Sequence, residues 1–369
     1  MPSFDIVRTS QPTDSFRVQS IIGTYDLQQQ HVTEHFTGNI ELPEKWNIGL
    51  IVGRSGSGKS TIAHELFDAD IINGFDWSHD NILDDMPKGA STKEIAATLT
   101  AVGFSSPPSW LKPYAVLSNG EKMRCDIARA ILEKRDMFVF DEFTSVVDRN
   151  VARVSSLAIQ KAIRRQNKKF IAVTCHYDVQ DWLMPDWVFN TDDMTFQLLD
   201  AEAQKKNRPG LNIEIYETKR KEYFWNVFKK HHYLSYNFNH AARVFIATCN
   251  GNLCAFCAAL PFPHPIKKNT WKEHRTVVFP DFQGVGIGTV FSDAIAEMFR
   301  EEGKTFISTT SNPAMIHSRA KNPKWKTTHI GRLSGGGRTA KLKRSFSCNR
   351  LTVSFEYIGQ TEVATFKKQ

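Results

Sequence analysis

The feature that most constrains the fold is the glycine-rich run GRSGSGKST at residues 53–61. It fits the phosphate-binding pattern G-x4-G-K-[ST], it follows the apolar run IGLIVG, and a helical pattern comes after it. In that context backbone N–H groups wrap nucleotide phosphates, Lys59 reaches the β and γ phosphates, and the Ser60 hydroxyl binds Mg²⁺. A chance glycine turn is the alternative, and the flanking strand and helix argue against it. The predicted nucleotide contacts are Gly53, Ser55, Gly56, Gly58, Lys59, Ser60 and Thr61.

Strand-like apolar runs alternate with longer helical patterns before residue 200. The runs lie at 48–53, 137–140 and 170–175, and the helical patterns start at Ser60 and span 121–133 and 150–165. Such alternation indicates a buried parallel sheet covered by helices. We therefore predict an α/β domain over residues 1–200.

Four more motifs follow the glycine loop in a fixed order. They are LSNGE at 117–121, MFVFDE at 137–142, SVVD at 145–148, and His176 after the next strand. In the second motif Asp141 can hold Mg²⁺ through water, while Glu142 polarises the attacking water. Each motif alone has an ordinary structural explanation, such as a core histidine for His176. All five in sequence are typical of an ATP-hydrolysing site.

With these motifs the first 200 residues resemble the ABC-class ATPases, in which they are the Walker A loop, the signature, the Walker B strand, the D-loop and the switch histidine. The resemblance implies an ATP-dependent head-to-tail homodimer, in which Ser118 and Gly120 of one chain cap the ATP of the other. It also implies that Tyr25, 34 residues before Lys59, stacks on adenine. A core tyrosine is the alternative at that position.

Two departures from the ABC pattern concern the region between the glycine loop and LSNGE. No glutamine occurs between Thr61 and Leu117, so an acid or amide of SHDNILDD (78–85) is expected to replace the usual one. Only 59 residues separate Lys59 from Ser118. No apolar run reaches the roughly 18 to 20 residues of a membrane helix. These features favour a soluble ABC protein without a transport role.

Charge divides the chain into an acidic and a basic part. Residues 1–200 carry 20 Lys and Arg against 27 Asp and Glu, whereas residues 201–369 carry 27 against 12, so the net charges are −7 and +15. The polar segment AEAQKKNRPG (201–210) lies at the crossing and is predicted to be a linker. A second domain over 211–369 is then expected to meet a polyanion such as nucleic acid. A solvated lysine surface is the alternative.

This second domain is expected to be a mixed α/β layer. Its predicted helices span 218–230 and 290–302, and its predicted strands span 242–249, 252–260, 274–279, 304–310 and 351–357. Cys254 and Cys257 form an isolated C-x-x-C pair on a strand, where positions i and i+3 point to opposite faces. We interpret both cysteines as small core residues rather than metal ligands.

The run FQGVGIGT (282–289) lies between a predicted strand and a helix, as a loop that binds a pyrophosphate at a helix N-terminus would. It resembles motif A of the GNAT acyltransferases, which implies binding of acetyl-CoA or another acyl-CoA. The segment NPAMIHSRA would form one side of the acyl site. A plain strand-turn-helix is the alternative. The implied contacts to the CoA diphosphate are Gln283, Gly284, Val285, Gly286, Ile287 and Gly288.

Catalytic residues for acyl transfer are sought in HHYLS (231–235), after the first helix of the second domain. His232 and Tyr233 are the candidates, with Ser235 beside them, and the cluster faintly resembles the phage Mom-type DNA-modifying enzymes, which share the GNAT fold. Packing of the aromatic rings against the helix is the alternative. His317 and Ser311 are further candidates for proton transfer.

A basic segment near the C-terminus contains nine Lys and Arg and no Asp or Glu between Lys321 and Arg350. Trp325, His329 and Phe346 lie among the charges, a mixture suited to phosphate contact and base stacking. A solvated loop, or one that holds only the CoA 3′-phosphate, is the alternative.

Together these patterns predict an ABC-type P-loop NTPase domain followed by a GNAT-like mixed α/β domain, using ATP, Mg²⁺ and acyl-CoA and modifying nucleic acid. Two other functions remain open. One is a nucleic-acid-binding ATPase whose GNAT-like domain only binds, and the other is an ATP-regulated acetyltransferase of proteins or small molecules. Six cysteines make no disulfide framework and the first residues form no signal peptide, so a cytoplasmic location is expected.

Overall fold

The structure is a computed structural model in which the chain divides into two compact units. The first consists of Met1–Val102 and Pro113–Pro209, and the second of Gly103–Lys112 and Gly210–Gln369. Both units are α/β, which confirms the predicted fold class. The residues described are 3–10, 15–26, 32–72, 74–133, 135–206, 210–232, 237–263, 267–332 and 351–359.

The N-terminal 209 residues contain strands and helices in alternation. The strands are β1 (Ser3–Ser10), β2 (Val32–Asn39), β3 (Ile48–Val52), β4 (Met137–Phe140), β5 (Lys169–Thr174), β6 (Trp187–Asn190) and β7 (Thr195–Leu198). The helices are α1 (Phe16–Tyr25), α2 (Lys59–Phe67), α3 (Thr92–Ala101), α4 (Pro107–Trp110), α5 (Asn119–Leu132), α6 (Arg149–Arg165), α7 (Val179–Leu183) and α8 (Ala201–Lys206). Helix α8 occupies part of the predicted linker, and α4 belongs to the second unit.

The central sheet of the first unit has the strand order β4-β5-β3-β6-β7. Strands β4, β5, β3 and β6 are parallel, and only β7 runs antiparallel to its neighbour. All residues of β3 are buried, as its continuous apolar sequence requires in a sheet covered on both faces. The carboxyl ends of the four parallel strands therefore meet at one edge of the sheet. The glycine loop, Asp141, Cys175 and Thr191 follow these ends.

The second unit contains a seven-stranded sheet of order β13-β14-β12-β11-β10-β9-β8. Only β11 and β12 are parallel neighbours. Its strands are β8 (Ile213–Thr218), β9 (Arg243–Cys249), β10 (Asn252–Pro261), β11 (Thr270–Val278), β12 (Thr305–Thr310), β13 (Trp325–Arg332) and β14 (Leu351–Tyr357). Its further helices are α9 (Lys221–Phe228), α10 (Ile287–Glu301) and α11 (Pro313–Lys321).

Alternate residues of these strands build a separate core on each face of the sheet. Phe245 of β9 packs in the cluster that holds Phe291 and Phe299 of α10. The preceding residue, Val244, packs in the opposite cluster with Trp225 of α9. The period of two along β9 thus places α10 and α9 on opposite faces.

Several sequence expectations need correction in this unit. The helix expected over 218–230 is preceded by strand β8, which extends through Thr218, and α9 covers only Lys221–Phe228. Both cysteines of the C-x-x-C pair are buried, as predicted, but in the same cluster rather than on opposite faces. The reason is a β-bulge at Cys254, where the pairing with β9 skips one residue.

Candidate nucleotide and acyl-CoA sites

The glycine loop after β3 is held open for phosphate by its own backbone. Gly58 is the N-cap of α2 with φ +86°, and a Cβ there would lie 2.6 Å from Phe36 Cε1, so only glycine fits. Within the described residues, the N–H groups of Gly56, Gly58 and Lys59 donate to no acceptor. Lys59 is 7% exposed and its Nζ donates to the Arg54 carbonyl at 2.6 Å. The loop thus offers unpaired donors and one buried cation.

Two residues after β6 anchor this loop, and the sequence analysis missed both. The Thr191 and Ser57 hydroxyls are 2.5 Å apart, and Asp192 Oδ1 accepts the Arg54 N–H at 2.9 Å. The Tyr177 hydroxyl donates to the other Asp192 oxygen, and this bond and the Arg54 contacts lower the pKa of Asp192. The only signal in the sequence is the polar run TDD directly after an apolar strand.

The two predicted acids follow β4 at the same sheet edge. Asp141 Oδ1 accepts the Glu142 N–H at 2.8 Å, and the Phe143 N–H donates to Val173 of β5 at 2.8 Å. Glu142 has φ +55°, a left-handed conformation that is strained for this residue type and is found mostly where function requires it. Its side chain is exposed. His176 is half-buried after β5, and its N–H donates to Thr174 Oγ1 at 3.2 Å.

The LSNGE motif forms the start of helix α5. Ser118 is the N-cap, and it exchanges hydrogen bonds with Glu121, whose carboxylate accepts the Ser118 N–H at 3.0 Å. This capping box explains the Ser and Glu of the motif. Asn119 Nδ2 donates to the Val146 carbonyl at 3.2 Å and so ties the helix to the SVVD motif. In the described residues no hydrogen bond joins Ser118 to the glycine loop.

Two other predicted nucleotide-site features form no hydrogen bond with the loop among the described residues. Tyr25 ends α1, is 68% exposed, and belongs to a helix with no buried residue. In SHDNILDD the acid Asp85 is buried, accepts the N–H groups of Ser78 and His79, and lies 2.5 Å from His79 Nδ1. The Asp85 carboxylate is therefore already hydrogen-bonded within its own segment. Adenine stacking by Tyr25 stays a prediction.

The second glycine loop joins β11 to α10 and has the same design as the first. Gly286 is the N-cap of α10 with φ +95°, and Gly284 has φ +85°. Within the described residues, the N–H groups of 284–288 donate to no acceptor, and no atom lies within 4 Å of a Cβ built on Gly286. Helix N-termini with unpaired N–H groups bind phosphates. The loop fits the predicted pyrophosphate contacts of Gly284, Val285, Gly286, Ile287 and Gly288.

Gln283 opens this loop, and both polar atoms of its side chain are engaged. Its Oε1 accepts the Ser105 N–H at 2.7 Å, and its Nε2 donates to the Val278 carbonyl at 2.9 Å. The side chain fixes the loop to the end of β11 and to the segment 103–112. Both side-chain atoms are thus unavailable to the CoA diphosphate, and the Gln283 N–H donates to the Pro280 carbonyl within its own turn.

Next to this loop the parallel strands β11 and β12 separate. They pair only as far as Glu273 opposite Ser308, although both strands continue. His274 is the next residue, and it is also the extra residue of a β-bulge in the pairing with β10. Burial, with the nearby charges of Arg275 and Lys272, lowers the pKa of His274 to about 4. A neutral imidazole thus lies where the strands diverge.

The neighbouring carboxylate, Glu273, is held on the α10 side of the sheet. Burial alone would raise its pKa, but Arg319 and surrounding hydroxyls lower it below the ordinary value. Arg319 Nη2 lies 2.7 Å from Glu273 Oε2 and its guanidinium stacks 4.3 Å from the Trp325 ring centroid. Glu273 is therefore a structural carboxylate, so His274 is the better candidate for proton transfer. The sequence analysis missed His274, because a bulge has no sequence signal here.

The acyl-transfer candidates chosen from sequence are scattered. His232 is 5% exposed and packs edge-on against Trp225 at 5.6 Å, while His317 is exposed on α11. Tyr233 and Ser235 lie outside the described residues, as do 333–350 with most of the basic segment. The expectation for Trp325 is wrong, since this ring is 5% exposed and its Nε1 donates to Asp293 at 2.7 Å.

Comparisons with known proteins match a family model to part of the second unit and find two curated relatives of parts of the chain. The model of the acetyltransferase (GNAT) family matches residues 212–318. Ribosome protection protein VmlR of Bacillus subtilis is 22% identical over 224 residues, which cover 53% of this chain and 40% of VmlR. "[NU+] prion formation protein 1" of Saccharomyces cerevisiae is 30% identical over 131 residues, covering 30% of this chain and 11% of that protein. This chain thus spans less than half of either relative.

Among solved structures, a dimeric post-hydrolysis state of the ATP-binding cassette MJ0796, bound to ADP and Pi, is similar at 15% identity and a TM-score of 0.39. The match covers 54% of this chain and 98% of that one. In the first unit the glycine loop and the Asp141–Glu142 pair lie at the carboxyl ends of the parallel strands, whereas LSNGE begins α5. Among the described residues, none of the helices has the length and apolarity needed to cross a membrane.

Proposed function

We propose that the protein hydrolyses ATP at one site and transfers an acyl group from acyl-CoA at another. The premise is an ABC-class ATPase domain joined in one chain to a GNAT-family acetyltransferase domain. The first domain would hydrolyse ATP and the second would transfer the acyl group. The observation that carries the proposal is the pair of loops with unpaired N–H groups. Each loop ends in a glycine N-cap with positive φ, Gly58 in one and Gly286 in the other. Two phosphate-binding loops indicate two phosphate-bearing ligands.

At the ATP site, the residues divide the work of phosphate transfer. The loop N–H groups bind the phosphates, and Lys59 turns from the Arg54 carbonyl toward them. Ser60 and Asp141 would hold Mg²⁺, which would supply positive charge beside the phosphates. Glu142 orients a water molecule and accepts its proton, and His176, which follows the neighbouring strand β5, lies at the same edge of the sheet. Ser118 and Gly120 of a second copy complete the site in a head-to-tail homodimer.

At the acyl site, the N–H groups of 284–288 bind the CoA pyrophosphate. Acetyl-CoA or another acyl-CoA supplies the activated acyl group. The gap between β11 and β12 leaves strand edges free after Glu273, where an extended ligand can lie. As the bond between acceptor and acyl carbon forms, the acyl–sulfur bond breaks, His274 accepts the proton of the acceptor, and CoA leaves as a thiolate that takes up a proton. Its neutral state at pH 7 follows from the lowered pKa.

Replacing His274 by Gln is expected to lower the rate of acyl transfer by about 100-fold or more while acetyl-CoA affinity is retained, since general-base catalysis contributes about 10² to 10⁴. Transfer of radiolabelled acetyl groups to RNA or DNA, together with an acetyl-CoA titration, measures both effects. His240→Gln, an exposed histidine before β9 in the same unit, is the matched control. Equal transfer rates for the wild type and His274→Gln would assign the proton transfer elsewhere.

We propose nucleic acid as the acceptor, because the half-chain that carries the acyl site has a net charge of +15. One relative is named a ribosome protection protein, and the ribosome is rich in RNA. The location is proposed to be the cytoplasm. Two other functions would give different results. An ATPase whose GNAT domain binds nucleic acid without catalysis would transfer no label. An acetyltransferase of proteins or small molecules would bind no nucleic acid.

Replacing Lys341, Lys343 and Arg344 together by Ala is expected to weaken nucleic-acid binding in a salt-dependent way. Each lost phosphate contact should reduce the slope of log K against log salt by about 0.7 to 0.9, so three contacts reduce it by about 2 to 3. Binding measured over a salt series gives the slope. The triple replacement of Lys45, Lys88 and Lys93, exposed in the acidic half, removes the same charge and should keep the slope. Identical slopes for both triple variants would show that Lys341, Lys343 and Arg344 do not contact the phosphates of the nucleic acid.

A further inference from the structure

The ten-residue segment Gly103–Lys112 lies between α3 and α5 in the sequence but belongs to the second unit. Gly103, Phe104 and Ser106 are buried, and the Trp110 indole donates to the Phe104 carbonyl at 2.9 Å. The Ser109 N–H donates to the Ser106 carbonyl at 2.9 Å. The segment is thus a compact turn with its own hydrogen bonds rather than a loose connection.

The segment reaches the acyl-CoA loop through one hydrogen bond. The Ser105 N–H donates to Gln283 Oε1 at 2.7 Å, and Gln283 immediately precedes Gly284. The same side chain donates to Val278 at the end of β11. A displacement of Ser105 must therefore move the Gln283 side chain or leave the Ser105 N–H without its acceptor, which is unfavourable.

The other end of the segment leads to the signature motif. Only residues 113–117 separate it from Ser118, the N-cap of α5. Ser118 is hydrogen-bonded to Glu121, and the Asn119 side chain donates to the Val146 carbonyl within the SVVD motif. The start of α5 is thus connected to the ATPase motifs on one side and, through a short covalent link, to the segment on the other.

We infer that Gly103–Lys112 is a positioning element of the acyl-CoA loop, acting through the Ser105–Gln283 hydrogen bond, so that acyl-CoA affinity depends on the nucleotide bound to the first unit. This inference rests on the proposed function of both sites. Because coupling between two binding sites is reciprocal, acyl-CoA changes ATP affinity by the same factor. The coupling is a property of binding, and it is measurable without any acceptor.

The test is an acetyl-CoA titration of the full chain with and without saturating ATP and Mg²⁺, on a background of Glu142→Gln so that ATP persists. The ratio of the two dissociation constants is expected to differ from one by about fivefold or more, within the usual range for coupled sites. Ser105→Pro, which removes the N–H, should bring the ratio to one. Ser105→Ala, which keeps the N–H, should retain the ratio.

A second variant keeps the test decisive if proline impairs folding. Gln283→Met removes the acceptor of the Ser105 N–H and should bring the ratio of the two dissociation constants to one. A wild-type ratio of one, or full coupling in Ser105→Pro and Gln283→Met, overturns the inference. Absence of any acetyl-CoA binding would instead overturn the proposed function of the second unit.

Discussion

Glu142→Gln is expected to abolish ATP hydrolysis while ATP binding is retained. The amide cannot accept the proton of the attacking water, and loss of a general base costs about 10² to 10⁴ in rate. The phosphate-binding loop, Lys59 and Ser60 are unchanged in this variant. ATP should then remain bound and hold two copies together, because the site needs Ser118 and Gly120 of the second copy.

Phosphate release and sedimentation with and without ATP measure these two effects. Glu44→Gln, an exposed carboxylate before β3, is the control and should behave as the wild type in both assays. Turnover by Glu142→Gln at the wild-type rate would mean that another residue activates the water. A variant that stays monomeric with ATP bound would contradict the head-to-tail arrangement.

Gly286→Val is expected to weaken acetyl-CoA binding by about 100-fold or more. The space around its Cβ position is open, and a branched side chain there would occupy the place of the pyrophosphate. Loss of two hydrogen bonds to a charged group, at about 1.5 kcal/mol each, corresponds to this factor. Calorimetric titration of the full chain measures it, and ATP hydrolysis should continue.

The control for backbone strain is Gly303→Val, at the other end of α10. Gly303 also has a positive φ, +73°, and no atom lies within 4 Å of its Cβ position. Both variants force valine into a left-handed conformation, but only Gly286 lies in the loop. If both lose acetyl-CoA binding equally, the effect is one of stability. If neither does, the loop does not bind the pyrophosphate.

Much of the nucleotide site was predictable because its residues are contiguous. A loop such as 53–61 specifies its own turn through glycine and its own helix start, so strand, loop and helix follow from one short run. The same holds for Ser118, whose capping box lies within four residues. The glycine loop before α10 was predicted for the same reason, because it too is one short run. The antiparallel pair of β1 and β2, with α1 between them in the sequence, has no such local signal and was not predicted.

The residues that sequence reasoning missed act through long-range geometry. Thr191 and Asp192 reach the glycine loop because β6 pairs with β3, which no local pattern reveals. His274 is singled out by a bulge and by the separation of β11 from β12, both of which depend on strand pairing. Trp325 was assigned to a binding surface because its sequence neighbours are basic. Its strand packs the ring into the core instead.

The central claim is that one chain binds ATP and acyl-CoA at two separate sites. Both ligands carry adenine and a pyrophosphate, so a single shared pocket is the competing account. The decisive measurement is an acetyl-CoA titration of the full chain at rising concentrations of ATP and Mg²⁺. With two sites, one acetyl-CoA is bound per chain at every ATP concentration. The dissociation constant of acetyl-CoA then changes as ATP rises and becomes constant once the ATP site is saturated. A dissociation constant that rises in proportion to ATP without limit would show competition for one pocket and contradict the account.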